Sequence, residues 1–328
     1  MRVFLTGGTG LLGSHLAEEL RSVGYDVVAL NRPGSDVAFL EAQGCTLVEG
    51  DVRDTTESLA DLMAGCTHLV HSAAIVYGGS SWPKVRAVNV DGTRNVLMAA
   101  VKAGMNFAVH VSSVVVYGTV EVTVTEDTPL DADLPAGDLY ARSKREAEEV
   151  AREIEEEHRI PLSVVRPCAV YGERDRLTAL TVAKFLKWPI VPLLGPGENT
   201  IPVVYSGNVA QALRLVLEAA RGGTTYDIGL DLPLTQRAML EHLAAGLGRR
   251  PMFLTVPAGL IRRAARLLDG LGAFVPGVNH LSIARVAEFA LGENPYVSRR
   301  LSEELGWDPA YDHKDALERT GRWLTAHT

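Results

Sequence analysis

A five-residue run, Arg2-Val3-Phe4-Leu5-Thr6, breaks into Gly7-Gly8-Thr9-Gly10-Leu11-Leu12-Gly13 and restarts as a helical pattern. Leu12, Leu16 and Leu20 share one face of it, and Glu18, Glu19 and Arg21 turn away. Nothing else in the chain constrains its fold so tightly. A strand that ends in glycines and reopens as a helix aims bare N–H groups and the positive end of the helix dipole at one spot, which suits a pyrophosphate. The spacing is Gly-x-x-Gly-x-x-Gly, not the commoner Gly-x-Gly-x-x-Gly fingerprint, and alone it also fits an ordinary glycine turn. Its place at the head of a strand–helix alternation gives it weight.

That alternation continues for 172 residues. Tyr25 to Leu30 reads as a second strand, closed by Asn31-Arg32-Pro33-Gly34, and Thr46 to Gly50 as a third, followed by Asp51-Val52. His68 to Ala74 is a fourth strand ending in Ser72, Ala73 and Ala74, small side chains that let a ligand approach the backbone. Asn89 opens a helix to about Lys102, Phe107 to Val111 is a fifth strand, and Asp138 to about His158 is a long charged helix. Pro161 to Val165 forms a sixth strand that runs into Arg166-Pro167-Cys168-Ala169-Val170-Tyr171-Gly172. The pattern predicts an α/β fold with a doubly wound parallel sheet and a ligand crevice at the strand carboxyl ends.

Beyond Gly172 the texture changes. Residues 188–192 and 195–199 read as loop-rich, Asn208 to Ala220 as a helix, and Tyr226 to Gly229 as a strand rejoining the core. The expected organisation is a dinucleotide-binding core of residues 1–172, with 205–230 returning to it. A smaller C-terminal lobe from 173–204 and 231–328 would bind substrate, its determinants lying around 174–204 and 254–290. The stretch Leu260 to Leu271 carries Arg262, Arg263 and Arg266 among apolar residues. It suits a lid helix over a substrate cleft better than a helix resting on a membrane.

Composition narrows the function. A net charge of −8 spread along the chain, with no basic tract, gives no sign of a nucleic-acid partner. No apolar run is long enough to span a bilayer, so no stable membrane insertion is expected. Met1 leads straight into a strand without room for a signal peptide, and Cys45, Cys66 and Cys168 neither share metal spacing nor all pair, so a reducing cytoplasm fits. His68 and His71 read as structural, with no metal site.

Two features carry chemistry. Where an acidic residue would hold the adenosine ribose of NAD, the chain has Asn31 and then Arg32. A guanidinium can hold a 2′-phosphate that a carboxylate would repel, which favours NADP over NAD; the alternative is that Arg32 merely caps a loop in solvent. Tyr140 and Lys144 stand four apart on a helix, and so project from one face. An ammonium beside the phenol favours the phenolate, making Tyr140 a usable base, while Ser113 could orient a substrate oxygen.

Together these residues resemble an extended member of the short-chain dehydrogenase/reductase superfamily, the NAD(P)-dependent epimerase/dehydratase group. The likeness rests on Thr6 to Gly13, Asp51-Val52, Ala73-Ala74, Asn89 to Thr93, Ser113 with Tyr117-Gly118, Tyr140 with Lys144, and Arg166-Pro167 with Val170-Tyr171-Gly172. It implies a Rossmann fold and a Ser113–Tyr140–Lys144 catalytic set, and a dimer through the exposed helices would fit the family. Cofactor contacts are expected from Gly7, Thr9, Gly10, Leu11, Leu12 and Gly13 in the loop, and from Asn31, Arg32, Asp51 and Val52 at the adenosine end. Ser72, Ala73, Ala74 and Asn89 would line the middle, and Tyr140, Lys144, Pro167, Cys168 and Val170 the nicotinamide end.

Two departures narrow the reaction. Sugar-nucleotide dehydratases of the group carry Thr-Asp-Glu where this chain has Ser113-Val114-Val115, and valines cannot eliminate water. Sugar-nucleotide epimerases commonly place an Asn where this chain has Ala169. Arg32, and the run Gly195 to Asn199 with Val203-Val204-Tyr205 and Asn208-Val209-Ala210, resemble the branch of dihydroflavonol reductases and 3β-hydroxysteroid dehydrogenases. The expected activity is hydride transfer between NADP and a carbonyl or secondary alcohol, with Val114 and Val115 facing an apolar small-molecule substrate. A sugar epimerase that keeps its cofactor, similar to those associated with hopanoid biosynthesis, is the alternative. A cofactor-sensing binding protein fits less well, since a sensor has no need of all three catalytic residues.

Overall fold

The computed structural model describes residues 1–77, 81–120, 122–135, 137–176, 178–270 and 283–327, the side chains of 284–286 excepted. In chain order the strands are β1 (Arg2–Thr6), β2 (Asp26–Asn31), β3 (Thr46–Glu49), β4 (His68–His71), β5 (Phe107–Val111), β6 (Leu162–Pro167), β7 (Ala169–Tyr171), β8 (Ile190–Leu194), β9 (Val203–Tyr205), β10 (Thr224–Ile228) and β11 (Met252–Val256). The α-helices are α1 (Leu11–Ser22), α2 (Ala38–Ala42), α3 (Thr56–Leu62), α4 (Trp82–Asn89), α5 (Asp91–Lys102), α6 (Leu139–His158), α7 (Thr178–Phe185), α8 (Ser206–Ala219), α9 (Gln236–Gly246), α10 (Ala258–Gly270), α11 (Ile283–Leu291), α12 (Arg299–Leu305) and α13 (His313–His327).

Seven strands form one sheet in the order β10-β6-β5-β4-β1-β2-β3, every pair parallel. The order reverses beside β1, which opens the crevice at its carboxyl end. Alternate side chains enter opposite layers, as a sheet covered on both faces requires. Val3 and Leu5 join the core packed by Leu16 and Leu20 of α1 and Leu213 and Val216 of α8. Phe4 joins the other, with Leu59 of α3, Leu97 of α5 and Ile154 of α6. A third, smaller core gathers Tyr171, Leu186, Val191, Leu243 and Leu317.

The structure departs from the sequence reading in three places. Residues 190–194, inside the stretch read as loop, form β8 and pair in parallel with β11, Ile190 opposite Met252. Pro189 and Pro192 suggested a loop, but a two-stranded ribbon is all edge and tolerates a missing N–H. The helix read as opening at Asn89 opens at Asp91 as α5, and Asn89 instead ends the preceding helix α4. Leu301 and Trp307, inside the expected lobe, pack into the core that also holds Val3 and Leu5. Of the segments expected to shape the substrate site, residue 177 and residues 271–282 lie outside the described residues.

Candidate active site

The glycine loop is shaped by close approach. Gly7 has φ +77°, and a Cβ there would lie 2.8 Å from the Ala73 amide nitrogen. A Cβ on Gly13 would overlap the Gly7 carbonyl oxygen, to which the Gly10 N–H already donates at 3.0 Å. The first turn of α1 contains no acidic side chain, and its N-cap Gly10 supplies no capping group. First-turn amides have no intrahelical acceptors. With Thr9 and Gly10 exposed and Leu11 and Leu12 half-buried, the loop is a cradle that side chains would fill, and an anionic diphosphate fits it.

Thr6 locks the floor. Its Oγ1 accepts from the Ser72 and Ala73 amides at 3.2 Å and lies 2.7 Å from His71 Nδ1. His71 Nε2 lies 3.0 Å from Thr93 Oγ1, which donates to the Asn89 carbonyl. With the Thr93 proton used, His71 must donate through Nε2 and accept at Nδ1, so it is neutral. Burial holds its pKa down at about 3. Histidine here fixes the end of β4 beside half-buried Ser72, Ala73 and Ala74.

At the adenosine end, the Asn31 Oδ1 is buried with no hydrogen-bond partner, a polar group left for a ligand. Arg32 is exposed, and its charge helps hold the Asp51 carboxyl low, after the stronger pull of the Arg53 side chain. Arg53 grips Asp51 with two N–H groups at 2.9 and 2.8 Å. Sequence reasoning missed Arg53, although its place two residues after Asp51 was a signal. Val52 is buried and its carbonyl is held by Asn95. Asn89 clamps the protein itself: its amide bonds both backbone groups of Ile75 and the Ser143 hydroxyl.

The structure brings Ser113, Tyr140 and Lys144 together at the other end. Asp138 caps α6 through the Ala141 amide, which places Tyr140 in the first turn. Lys144 Nζ lies 5.9 Å from the centre of the Tyr140 ring. Burial raises the Tyr140 pKa well above its ordinary 10.0, a hydrogen bond with Ser113 lowers it, and the Asp138 charge raises it. Burial also pulls Lys144 down to about 8, against the charge of Glu148. Ser113 Oγ stands 3.4 Å from the Pro167 carbonyl. The Tyr77 ring meets Tyr140 edge-on at 5.1 Å, a neighbour no sequence spacing announced.

One expectation fails here. Val114 is buried in the core, 4 % exposed, and only Val115 is half-exposed. Residues 114–117 form a 3₁₀ turn, whose threefold period puts Val114 and Tyr117 on the same inward side. Cys168 is also buried, and burial pushes its thiol pKa well up, which makes it a packing residue rather than a nucleophile. Val170 is half-buried and pairs with Val204.

Beneath the site lies a charged network. The Arg166 guanidinium donates to both oxygens of Glu148, at 2.9 and 2.5 Å, and to the Tyr117 hydroxyl at 2.7 Å. The Tyr117 hydroxyl donates to Asp227 at 2.6 Å. Arg166 thereby joins β6 to α6, the helix carrying Tyr140 and Lys144.

Comparisons with known proteins bear on the family and the fold. Residues 3–229 match the sequence model of the NAD dependent epimerase/dehydratase family. The chain is 29 % identical, over 98 % of its length and 97 % of the relative's, to a 4-hydroxy-2-methyl-3-oxo-4-farnesyl-3,4-dihydroquinoline-1-oxide ketoreductase of Stigmatella aurantiaca. It is also 29 % identical to a 2-alkyl-3-oxoalkanoate reductase of Stenotrophomonas maltophilia, over 76 % of each chain. Among solved structures, the dTDP-glucose 4,6-dehydratase DesIV of Streptomyces venezuelae, crystallised with NAD, superposes with a TM-score of 0.75 at 28 % identity, covering 98 % of this chain and 96 % of that one.

Proposed function

Since the chain belongs to the NAD-dependent epimerase/dehydratase family, we propose that it is an NADP-preferring reductase of apolar ketones. The observation that carries this reading is the make-up of the site. Ser113 and Lys144 flank the Tyr140 phenol, and an aliphatic Val115 stands where water elimination would need an acid or base. Two relatives with similar chains are named as reductases of keto compounds bearing hydrocarbon tails.

The nicotinamide dinucleotide, when bound, supplies the two-electron carrier. The amides at Gly10 to Gly13 would hold its diphosphate, with Thr9 beside them. Asn31 and Arg32 would hold the adenosine ribose, Arg32 facing a 2′-phosphate, and Asp51 and Val52 the adenine edge. Ser72, Ala73 and Ala74 would leave room for it, and Pro167, Cys168 and Val170 would back the nicotinamide. Ser113 orients the substrate oxygen and Tyr140 exchanges its proton. The Ser113 hydrogen bond lowers the Tyr140 pKa against the burial that raises it, and a Lys144 ammonium near the ring would favour the phenolate further. Substrate choice would then fall to the segments 173–204 and 231–328.

The test is to denature the purified protein, identify any released nucleotide by mass spectrometry, and then follow NADPH oxidation with a panel of apolar ketones and aldehydes. An empty protein that oxidises NADPH with a ketone is expected. Near-stoichiometric retained nucleotide with no net NADPH consumption would replace this reading with an epimerase acting on sugars.

A further inference from the structure

The ribbon β8–β11 turns one apolar face to solvent. Ile190 pairs with Met252 and Pro192 with Leu254, and these four residues are all exposed. Trp188 extends the face at one end: the Met252 amide bonds the Pro189 carbonyl, and the Trp188 ring packs edge-on against Phe185 at 5.6 Å. Trp188 is 55 % exposed, Met252 68 % and Leu254 60 %. Large exposed apolar side chains clustered in this way mark an interaction surface.

The charge around this face is one-sided. Residues 178–197 contain two lysines and no acid, and residues 242–268 contain five arginines and no acid, bordered by Glu198, Glu241 and Asp269. Arg262 is paired with Glu288 of α11, which leaves Lys184, Lys187, Arg249, Arg250, Arg263 and Arg266 as the basic rim. Lys184 and Lys187 are exposed beside Phe185 and Trp188, and Arg249 and Arg250 are exposed just before Met252. β11 then leads into α10, for which the sequence favours a lid helix; in the structure Leu260 and Leu267 are exposed with Arg263 and Arg266 flanking them, so that part of its apolar side faces solvent.

We propose that this face docks on the surface of an anionic phospholipid bilayer, with Trp188, Met252 and Leu254 entering the interface and the basic rim meeting the headgroups. Tryptophan favours the membrane–water boundary, and lysine and arginine can lay their stems on apolar surface while their charges reach anionic lipid. A second copy is a poor occupant. A twofold contact through this face would set Lys184, Lys187, Arg249 and Arg250 against the same cations of the partner. The proposal concerns where the protein sits and is independent of the ketone reading above.

The test is flotation of the purified full chain with vesicles of phosphatidylcholine plus phosphatidylglycerol, against vesicles of phosphatidylcholine alone. Binding to the anionic vesicles only, weakened by salt, is expected. Trp188→Ser/Leu254→Ser should lose most of that binding. Lys187→Glu/Arg250→Glu should lose more than about tenfold, since each cation near an anionic leaflet changes partitioning about fivefold. Both variants change exposed side chains, so their melting temperatures should match the parent. No binding to anionic vesicles, or binding that both variants retain, would overturn the proposal. So would concentration-dependent dimerisation lost in Trp188→Ser/Leu254→Ser without vesicle binding, which would give the face to a second copy.

Discussion

The Lys144 ammonium donates a 2.8 Å hydrogen bond to the Val111 carbonyl at the end of β5. That bond ties the helix carrying Tyr140 to the strand that leads into Ser113, so the three polar groups share one rigid corner. The same ammonium nitrogen lies 5.9 Å from the centre of the Tyr140 ring.

Tyr140→Phe removes the oxygen proposed to exchange the proton and keeps the ring that packs against Tyr77. Turnover should fall by at least about a hundredfold, within the range that general acid–base catalysis contributes. NADPH affinity should change little. Steady-state kinetics paired with a fluorescence titration of NADPH separates the two, and undiminished turnover would remove Tyr140 from the chemistry.

Lys144 should leave a signature in stability. Burial lowers its folded pKa from 10.5 to about 8. Below about pH 8 the ammonium is charged in both folded and unfolded chains, and the burial cost is fully present. Between there and 10.5 the folded protein releases a proton that the unfolded chain keeps, so stability rises with pH. The stability of the parent relative to Lys144→Met should therefore increase by about 3 kcal/mol from neutral pH to above pH 10. Urea melts of both proteins across that range measure it, and a constant difference would show that Lys144 titrates normally.

Arg166→Met should be among the most damaging substitutions. It strips Glu148 of both its guanidinium bonds and leaves Asp227, whose carboxyl burial has already raised to about 7, without the nearby cation. Removing one partner of a buried ion pair costs about 3–5 kcal/mol. The double variant Arg166→Met/Glu148→Leu should recover part of that loss, since no charge is then stranded at position 148. Equal stability of the single and double variants would mean that the pair is not coupled.

The part of this molecule legible in its sequence is the part fixed by short-range geometry. Gly7 to Gly13 announces a strand, a turn and a helix within a dozen residues, and Tyr140 with Lys144 needs only the helical period. Val114 was misread because a 3₁₀ turn, not a strand or α-helix, sets its direction. The Asn89 amide was expected at the cofactor, but the polar atoms of Ile75 and Ser143, distant in sequence, take it up. Trp307 joins the main core through packing that no local pattern encodes. Proline in β8 hid a strand because the partner that makes it one, β11, lies sixty residues on.

Gly13→Ala tests the loop. Its Cβ would overlap the Gly7 carbonyl oxygen and lie 2.9 Å from the Gly8 Cα, so backbone must move. The melting midpoint should fall by the equivalent of about 1–3 kcal/mol, and the stabilisation that NADPH confers should disappear. Gly10→Ala, whose Cβ would meet only the Gly7 oxygen at 3.2 Å, should be the milder change. Thermal melts with and without NADPH rank the two, and the opposite order would contradict the close approach.

The proposed preference for NADP rests on Arg32. It is exposed at the end of β2, beside an unpaired Asn31 oxygen, and Arg53 is committed to Asp51. That leaves Arg32 as the guanidinium able to meet a 2′-phosphate. A hydrogen bond to a charged group contributes about 1.5–3 kcal/mol, so Arg32→Ala should weaken NADPH by roughly ten- to a hundredfold and NADH hardly at all. Arg32→Asp should go further, because its carboxylate repels the phosphate yet can accept from the ribose hydroxyls that NADH presents there. Dissociation constants for both cofactors against both variants measure the effect. Equal losses for NADPH and NADH would show that Arg32 shapes the loop and does not read the phosphate.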